Sequence, residues 1–225
     1  MKRDHGTQWK IAERMAQNFV SLAATSPAMP VERIAIAGSI RRRKSFPNDI
    51  EIVLVPRFQD GKVNLFDVFC DQLLDAGRLE KRLVGKTQAT RWGERTKLAI
   101  FIGETEMPMD IFSVIDPATW GVIFALRTGP GDFNKLLVTS RRWGGACPLD
   151  RKVAGGQVWF IDPNEEQLAS MPSGKFVKAV MAGKVNAHTL GTPTEESFFD
   201  QLQVPYFAPV DRTLANLQAH LRKKG

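Results

Sequence analysis

Cysteine and histidine are scarce in this chain of 225 residues. The two cysteines, Cys70 and Cys147, lie far apart and have no partner at zinc-ligand spacing, which argues against a structural zinc site. A disulfide between them stays open, but we expect two buried free thiols in a reducing compartment. The three histidines, His5, His188 and His220, are isolated from one another, and we expect none to be catalytic or a metal ligand.

Long apolar runs are also lacking. No stretch approaches the roughly 18 apolar residues that a membrane-spanning helix needs. The N-terminal residues 1–5 are polar, and no apolar signal-peptide core follows them. The sequence therefore predicts an intracellular, cytoplasmic protein without a membrane partner.

The charge is unbalanced. The chain has 31 Lys and Arg against 24 Asp and Glu, a net charge of +7, with 43% hydrophobic residues. That hydrophobic share supports a folded core, and the length fits one large domain or two small ones. A basic excess suits a polyanion such as nucleic acid, although a merely soluble basic protein has the same composition.

The apolar pattern changes character near Pro117, which predicts domains at 1–117 and 118–225. In the first part we expect helices at 9–24 and 63–76 and strands at 34–37, 49–55, 97–102 and 109–115. In the second part we expect a strand at 157–161 and helices at 132–142, 194–202 and 211–223. The pattern indicates an α/β first part and an α+β second part.

Carboxylates stand at the ends of two predicted strands. Asp49 and Glu51 alternate with Ile50, so both acids point to one face while Ile50 points to the core. Asp110 opens a later strand, and if the two strands are neighbours the three carboxylates converge. Oxygen ligands suit Mg²⁺ or Mn²⁺, and three carboxylates can hold two ions for phosphoryl transfer. The alternative is an acidic, solvated strand face without metal.

A Gly-Ser turn and a basic loop precede the acids. Gly38 allows backbone N–H groups to approach an anion, and the Ser39 hydroxyl adds a donor. Residues 41–44 then supply three arginines and a lysine, and guanidinium groups bind phosphate oxygens in pairs. A triphosphate would explain so many cations beside two carboxylates, and a solvated basic loop is the alternative.

This combination resembles the signature of polymerase beta-like nucleotidyltransferases, and most closely that of family X DNA polymerases. The resemblance implies an α+β fold: a nucleotidyltransferase palm with a mixed sheet and flanking helices, then a small α+β thumb-like subdomain. It implies that Asp49, Glu51 and Asp110 bind two Mg²⁺ or Mn²⁺ ions, and that Ser39 and Arg42, with Gly38 and Arg41, hold the triphosphate. Glu51 replaces the family's usual Asp, which predicts an altered metal preference.

A second block narrows the resemblance to family X. Residues 127–135 are similar to the family's Thr-Gly turn followed by Phe-Asn-Lys, which implies that Arg127, Thr128, Gly129 and Asn134 contact the nucleoside. The family's aromatic pair before Thr-Gly is replaced by Leu126-Arg127, which leaves the sugar preference open. The alternative for this segment is an ordinary helix start with Asp132 as N-cap.

The likeness covers about residues 10–215. Only 37 residues precede Gly38, too few for the helix-hairpin-helix domain that many relatives carry, so we expect no lyase activity.

Further cations are candidates for nucleic-acid contact. Arg91, Arg95 and Lys97 surround Trp92, a mixture typical of strand-binding surfaces, although a core position for Trp92 is equally compatible. The other candidates, Lys135, Arg141 and Arg142, lie on or after the predicted helix at 132–142, whose C-terminal dipole the arginines could instead complement.

The sequence as a whole predicts a DNA-directed DNA polymerase of the family X type, acting in repair or replication. Its expected partners are a DNA primer–template and a nucleoside triphosphate, and we expect a monomer. Three alternatives stay open: a template-independent nucleotidyltransferase acting on RNA, DNA or protein, a catalytically inactive nucleic-acid-binding relative, and a structural protein that binds acidic partners.

Overall fold

A computed structural model describes residues 7–85, 88–162 and 164–223. The chain divides into two units, Met1–Asp116 and Pro117–Gly225, one residue before the expected boundary. Both units combine helices with strands, so the coarse α+β class is confirmed. Within the described ranges, no helix has the length and apolar character that a membrane crossing requires.

The first unit begins with a long helix and builds most of its strands after it. Its elements are α1 (Trp9–Thr25), β1 (Val31–Ile36), α2 (Gly38–Arg41), β2 (Ile50–Pro56), β3 (Phe58–Gln59), β4 (Val63–Asn64), α3 (Leu65–Asp75), β5 (Leu79–Lys81), β6 (Leu83–Val84), β7 (Ala89–Thr90), β8 (Thr96–Ile102) and β9 (Glu106–Ser113). Asn64 caps α3, because its side chain accepts hydrogen bonds from the N–H groups of Phe66 and Asp67.

A five-stranded sheet in the order β1-β2-β9-β8-β5 organises the first unit. It is mixed, because β2 and β9 are parallel while the other neighbouring pairs are antiparallel. Helices α1 and α3 supply one side of the core, where the Phe19 ring makes edge contacts with Phe66, Phe69 and Phe101. Ile50 and Ile52 of β2 join this core, as their alternation with the acids predicted.

The segment between α3 and β8 differs from the sequence prediction. The three short strands β5, β6 and β7 fill a stretch to which no element was assigned. Because β5 pairs with the distant β8, local periodicity over three residues carried little information about it.

The second unit alternates helices with a small sheet. Its elements are α4 (Trp120–Thr128), α5 (Gly131–Val138), β10 (Arg151–Ala154), β11 (Gln157–Phe160), α6 (Glu166–Ser170), α7 (Ser173–Met181), β12 (His188–Leu190), α8 (Glu195–Gln201) and α9 (Leu214–Arg222). The sheet is antiparallel in the order β10-β11-β12. Thr194 and Ser197 form a capping box that fixes the start of α8 close to its predicted position.

Two hydrophobic clusters cover the two faces of that small sheet. Val153, Val158 and Leu190 lie on one face with residues of α4, α5, α8 and α9. Trp159 lies on the other face and makes an edge contact with Phe176 of α7. Helices α6 and α7 are further elements to which the sequence prediction assigned no structure.

The predicted helix at 132–142 starts within one residue of the observed helix, but its predicted C-terminal end is wrong. Helix α5 begins at Gly131 and has no side-chain cap, so Asp132 lies in the first turn and is not the N-cap. The helix ends at Val138, and Arg141–Trp143 forms a separate 3-10 turn capped by the Ser140 hydroxyl.

Both cysteines are free and buried within the described chain, as expected. Burial raises the pKa of the Cys70 and Cys147 thiols to about 12, so neither is a thiolate at neutral pH.

Candidate active site

The register of two parallel strands brings the predicted acids together. Glu51 of β2 pairs directly with Asp110 of β9, and Asp49 precedes β2 by one residue. Asp49 and Glu51 are two residues apart, so they share a side of the strand, opposite to Ile50 and Ile52 in the core. The three carboxylates therefore lie on the sheet face that α1 and α3 do not cover.

The pKa of the Asp49 carboxyl reflects its burial and its closeness to Asp110. Partial burial raises the pKa of its carboxyl, and the negative charge of Asp110 raises it further. The cations Arg82, Arg42 and Lys44 oppose the rise. The raised pKa of Asp49 therefore reflects its burial first and the charge of Asp110 second, and a bound cation would oppose both effects.

Gly38 lies directly against the acidic face. Its φ of +64° is in the left-handed region, and a Cβ there would lie 1.9 Å from Glu51 Oε2. No side chain fits between α2 and β2 at this point, and the close approach of backbone to carboxylate requires glycine. The sequence predicted a close backbone approach here, and the structure shows that the neighbour is Glu51.

The next residue offers an unused donor. Ser39 Oγ is buried and has no hydrogen-bond partner among the described residues. Buried hydroxyls are normally bonded, so an atom of this kind suggests a missing partner. A phosphate oxygen beside the acidic face would supply an acceptor for it.

The arginines of the loop point to different surroundings. Arg42 is close enough to Asp49 to lower its pKa. Arg41 and Arg43 instead line a cavity of about 230 Å³ with Trp9, Glu13 and Gln17 of α1. Of the two arginines that the resemblance assigns to the triphosphate, Arg42 therefore lies near the acids and Arg41 lines the cavity beside α1.

Arg82 is a site residue that the sequence reasoning missed. Its Nη2 lies 2.5 Å from Asp110 Oδ1 in a largely buried ion pair. The backbone places it there, because the Arg82 N–H donates to the carbonyl of Leu98, and Leu98 pairs with Asp110. The signal lies in the pairing of β5 with β8, which is not visible from the local sequence.

The donor set fits a hard cation, although its present rotamers do not enclose one. No three His, Cys, Asp or Glu side chains in the described ranges are grouped closely enough to hold a metal ion. The Asp110 carboxylate is turned toward Arg82. Asp49, Glu51 and Asp110 nevertheless supply only oxygen donors from adjacent strands, which is the ligand chemistry of Mg²⁺ and Mn²⁺.

The predicted nucleoside segment is a turn held by Asn134. Its Nδ2 donates to the carbonyls of Leu126 at 2.7 Å and Gly129 at 3.0 Å. A Cβ at Gly129 would lie 2.2 Å from Asn134 Oδ1, so this turn also requires glycine. Asn134 Oδ1 is buried without a partner in the described chain, Thr128 is fully buried, and Arg127 is exposed.

The candidate nucleic-acid residues divide by exposure. Those whose side chains are exposed are Arg91, Arg95, Lys135, Arg141 and Arg142. Arg141 nevertheless bonds to Ala146 O, Gln203 Oε1 and Leu202 O, which fixes the chain locally. Lys97 is 2% exposed and bonds to Asp67 and Gly93, so we leave it out of the proposed surface.

Trp92 and the histidines also have defined places. The half-buried Trp92 packs against the first unit's core between the ammonium groups of Lys81 and Lys97. His188 lies on β12, and the His220 ring makes an edge contact with Phe207. His5 lies outside the described residues.

Searches for relatives add no assignment to this geometry. The chain matches no model of a known protein family and no curated protein. The resemblance to family X therefore rests on the motifs and on the arrangement of residues that carry them.

Proposed function

We propose that the chain is a metal-dependent nucleotidyltransferase, and specifically a DNA-directed DNA polymerase of the family X type that acts in repair or replication. The observation that carries the proposal is the direct pairing of Glu51 with Asp110. Asp49 lies two residues before Glu51 and on the same side of the chain. Carboxylates held at adjacent positions of neighbouring strands repel one another, and a bound cation would offset that repulsion. The buried, unpartnered Ser39 Oγ supports a phosphate-bearing ligand beside them.

Each residue has a role in the proposed reaction. Asp49, Glu51 and Asp110 would hold two Mg²⁺ or Mn²⁺ ions, which supply charge neutralisation and activation of a primer 3′-hydroxyl. Ser39 Oγ donates to a phosphate oxygen, and the Arg42 guanidinium neutralises charge on the β- and γ-phosphates. The oxygen of the 3′-hydroxyl attacks the α-phosphorus in line, and pyrophosphate leaves.

The second unit would hold the nucleoside and the duplex. Asn134 Oδ1 lies close against Gly129 and is an acceptor that the described protein leaves unused, so it could bind a group of the nucleoside. Arg127 is exposed beside that turn. The second unit's proposed phosphate contacts are Lys135 and Arg142, while the bonds of Arg141 favour a structural role; Arg91 and Arg95 are proposed separately as phosphate contacts of the first unit.

A primer-extension experiment tests the proposal. The purified chain is incubated with an end-labelled primer–template, one dNTP or rNTP at a time, and Mg²⁺ or Mn²⁺. We expect addition of the template-matched nucleotide, and loss of at least about 1,000-fold in Asp49→Asn, Glu51→Gln. The matched control is Glu80→Gln, which removes an exposed acid of β5 and should retain full activity.

The alternatives are the other outcomes of that experiment. Addition that ignores the template base would replace the polymerase with a template-independent nucleotidyltransferase. Absence of addition with either metal, together with retained DNA binding, would indicate an inactive nucleic-acid-binding relative. The ion pair between Arg82 and Asp110 is the observation that favours this last alternative, because it occupies a proposed metal ligand.

A further inference from the structure

A row of three planar groups crosses the small sheet of the second unit. Arg151 of β10 pairs with Phe160 of β11, and Phe160 pairs with His188 of β12. The Arg151 guanidinium lies 5.2 Å from the centroid of the Phe160 ring. The Phe160 and His188 rings are stacked at 5.0 Å with 24° between their planes. We call these three residues the Arg-Phe-His stack.

The Arg-Phe-His stack lies on the same face of the sheet as a row of buried core residues, one row further along the strands. Two residues along each strand, Val153, Val158 and Leu190 form the next row on the same face and pack into the core. Helices α6 and α7 cover the opposite face through Trp159. The Arg-Phe-His stack therefore lies where the sheet extends past its packing partners.

The stack is open at its histidine end. Arg151 and Phe160 are partly buried, whereas His188 is exposed and belongs to the last strand in the order β10-β11-β12. Phe160 covers one face of the imidazole. A further planar group could lie parallel on the other side and extend the stack by one layer.

The charge of the second unit indicates what kind of planar group could stack on His188. The unit has 13 Lys and Arg against 9 Asp and Glu. Lys184 is exposed in the segment before β12, four residues before His188. Aromatic stacking beside exposed cations is the chemistry that binds single-stranded nucleic acid, since bases stack and phosphates pair with cations.

We propose that the Arg-Phe-His stack binds an unpaired nucleobase, with His188 as the contacting ring. Phe160 and Arg151 hold the imidazole in place from behind. Stacking does not depend on base identity, because every base has a π face, so the site takes single strands of any sequence. The site goes beyond nucleotidyl transfer and does not require it.

Binding of a fluorescein-labelled dT12 oligonucleotide, measured by anisotropy without nucleotide or divalent metal, tests the proposal. We expect His188→Ala to weaken binding by at least about 5-fold. His188→Phe keeps an aromatic face and should bind within about twofold of the wild type. Thr189→Ala, a change of the exposed neighbour on the opposite face of β12, is the matched control and should bind as the wild type does.

A second probe separates stacking from charge. An abasic oligonucleotide of the same length keeps the phosphates and lacks the bases, so His188→Ala and the wild type should bind it equally. Equal binding of dT12 by these two proteins, or an equal loss on both probes, would overturn the proposal. Because neither measurement involves extension, failure of the polymerase proposal would leave this result unchanged.

Discussion

At the scale of single residues, Asp49 should weaken the native state in the absence of metal. Its pKa is raised by burial and by Asp110, so the charged form costs free energy in the folded protein. We expect Asp49→Asn to raise the melting temperature by about 1–3 °C at pH 7 without divalent metal. The same change should abolish extension. Thermal denaturation and primer extension on one preparation measure both effects.

The pH dependence has a defined sign. A carboxyl whose folded pKa is raised binds its proton more tightly in the native state, so native stability increases as pH falls through that pKa. The stability difference between wild type and Asp49→Asn should therefore shrink on acidification. Added Mg²⁺ should stabilise the wild type and have no comparable effect on the variant. A constant difference at all pH values would contradict the assigned cause.

Arg82 should set how readily Asp110 accepts a metal ion. Its guanidinium lies 2.5 Å from Asp110 and adds positive charge where the proposed metal ion would bind. Removing this charge in Arg82→Gln should lower the Mg²⁺ or Mn²⁺ concentration for half-maximal stabilisation by about 3- to 10-fold. Metal titrations followed by melting temperature measure the change. Arg78→Gln is the control, because Arg78 donates to the Ile102 carbonyl and should leave the metal dependence unaltered.

At the scale of elements, the fit of α2 against β2 depends on Gly38. Gly38→Ala would place a side chain in a left-handed backbone conformation and also against Glu51. Gly61→Ala provides a matched control, since its φ of +67° imposes similar strain while its Cβ would meet no described atom within 4 Å. We expect both variants to lose about 1 kcal/mol from strain. Gly38→Ala alone should lose further stability and extension activity.

Denaturant titration and extension assays on the two glycine variants separate strain from contact. Equal loss of stability with full activity in both would mean that the Glu51 carboxylate moves aside without consequence. A selective loss in Gly38→Ala would show that the position of Glu51 is fixed by the α2 backbone.

The sequence predicted the structure correctly where the alternation of apolar and polar residues along a strand matched a buried face of the sheet. Alternation along Asp49 to Leu54 predicted which side chains enter the core, and convergence with Asp110 was predicted on the condition that the two strands are neighbours, which they are. Arg82 could not be predicted in the same way, because its position depends on strands 16 residues apart pairing at Leu98. The Arg-Phe-His stack could not be predicted either, since 27 residues, including two helices, separate Phe160 from His188. Both features follow from nonlocal pairing, which strand propensity does not encode.

At the scale of the whole molecule, exposed cations at particular positions should make DNA affinity depend on the salt concentration. Each phosphate neutralised by the protein releases condensed counterions, so the logarithm of the binding constant falls linearly with the logarithm of salt concentration. Four exposed cations carry the proposed phosphate contacts, namely Arg91, Arg95, Lys135 and Arg142. They predict a slope of about −3.6 for duplex DNA, or about 100-fold weaker binding between roughly 50 and 200 mM salt.

The slope itself distinguishes specific contacts from net charge. The double change Arg91→Gln, Arg95→Gln should reduce the slope to about −1.8, since two of the four proposed contacts are lost. Lys10→Gln, Lys62→Gln removes the same charge from two exposed residues outside the proposed set and should leave the slope near −3.6. Anisotropy titrations of a labelled duplex over a series of salt concentrations give both slopes. Equal slopes in the two double variants would mean that diffuse attraction, rather than these arginines, holds the DNA.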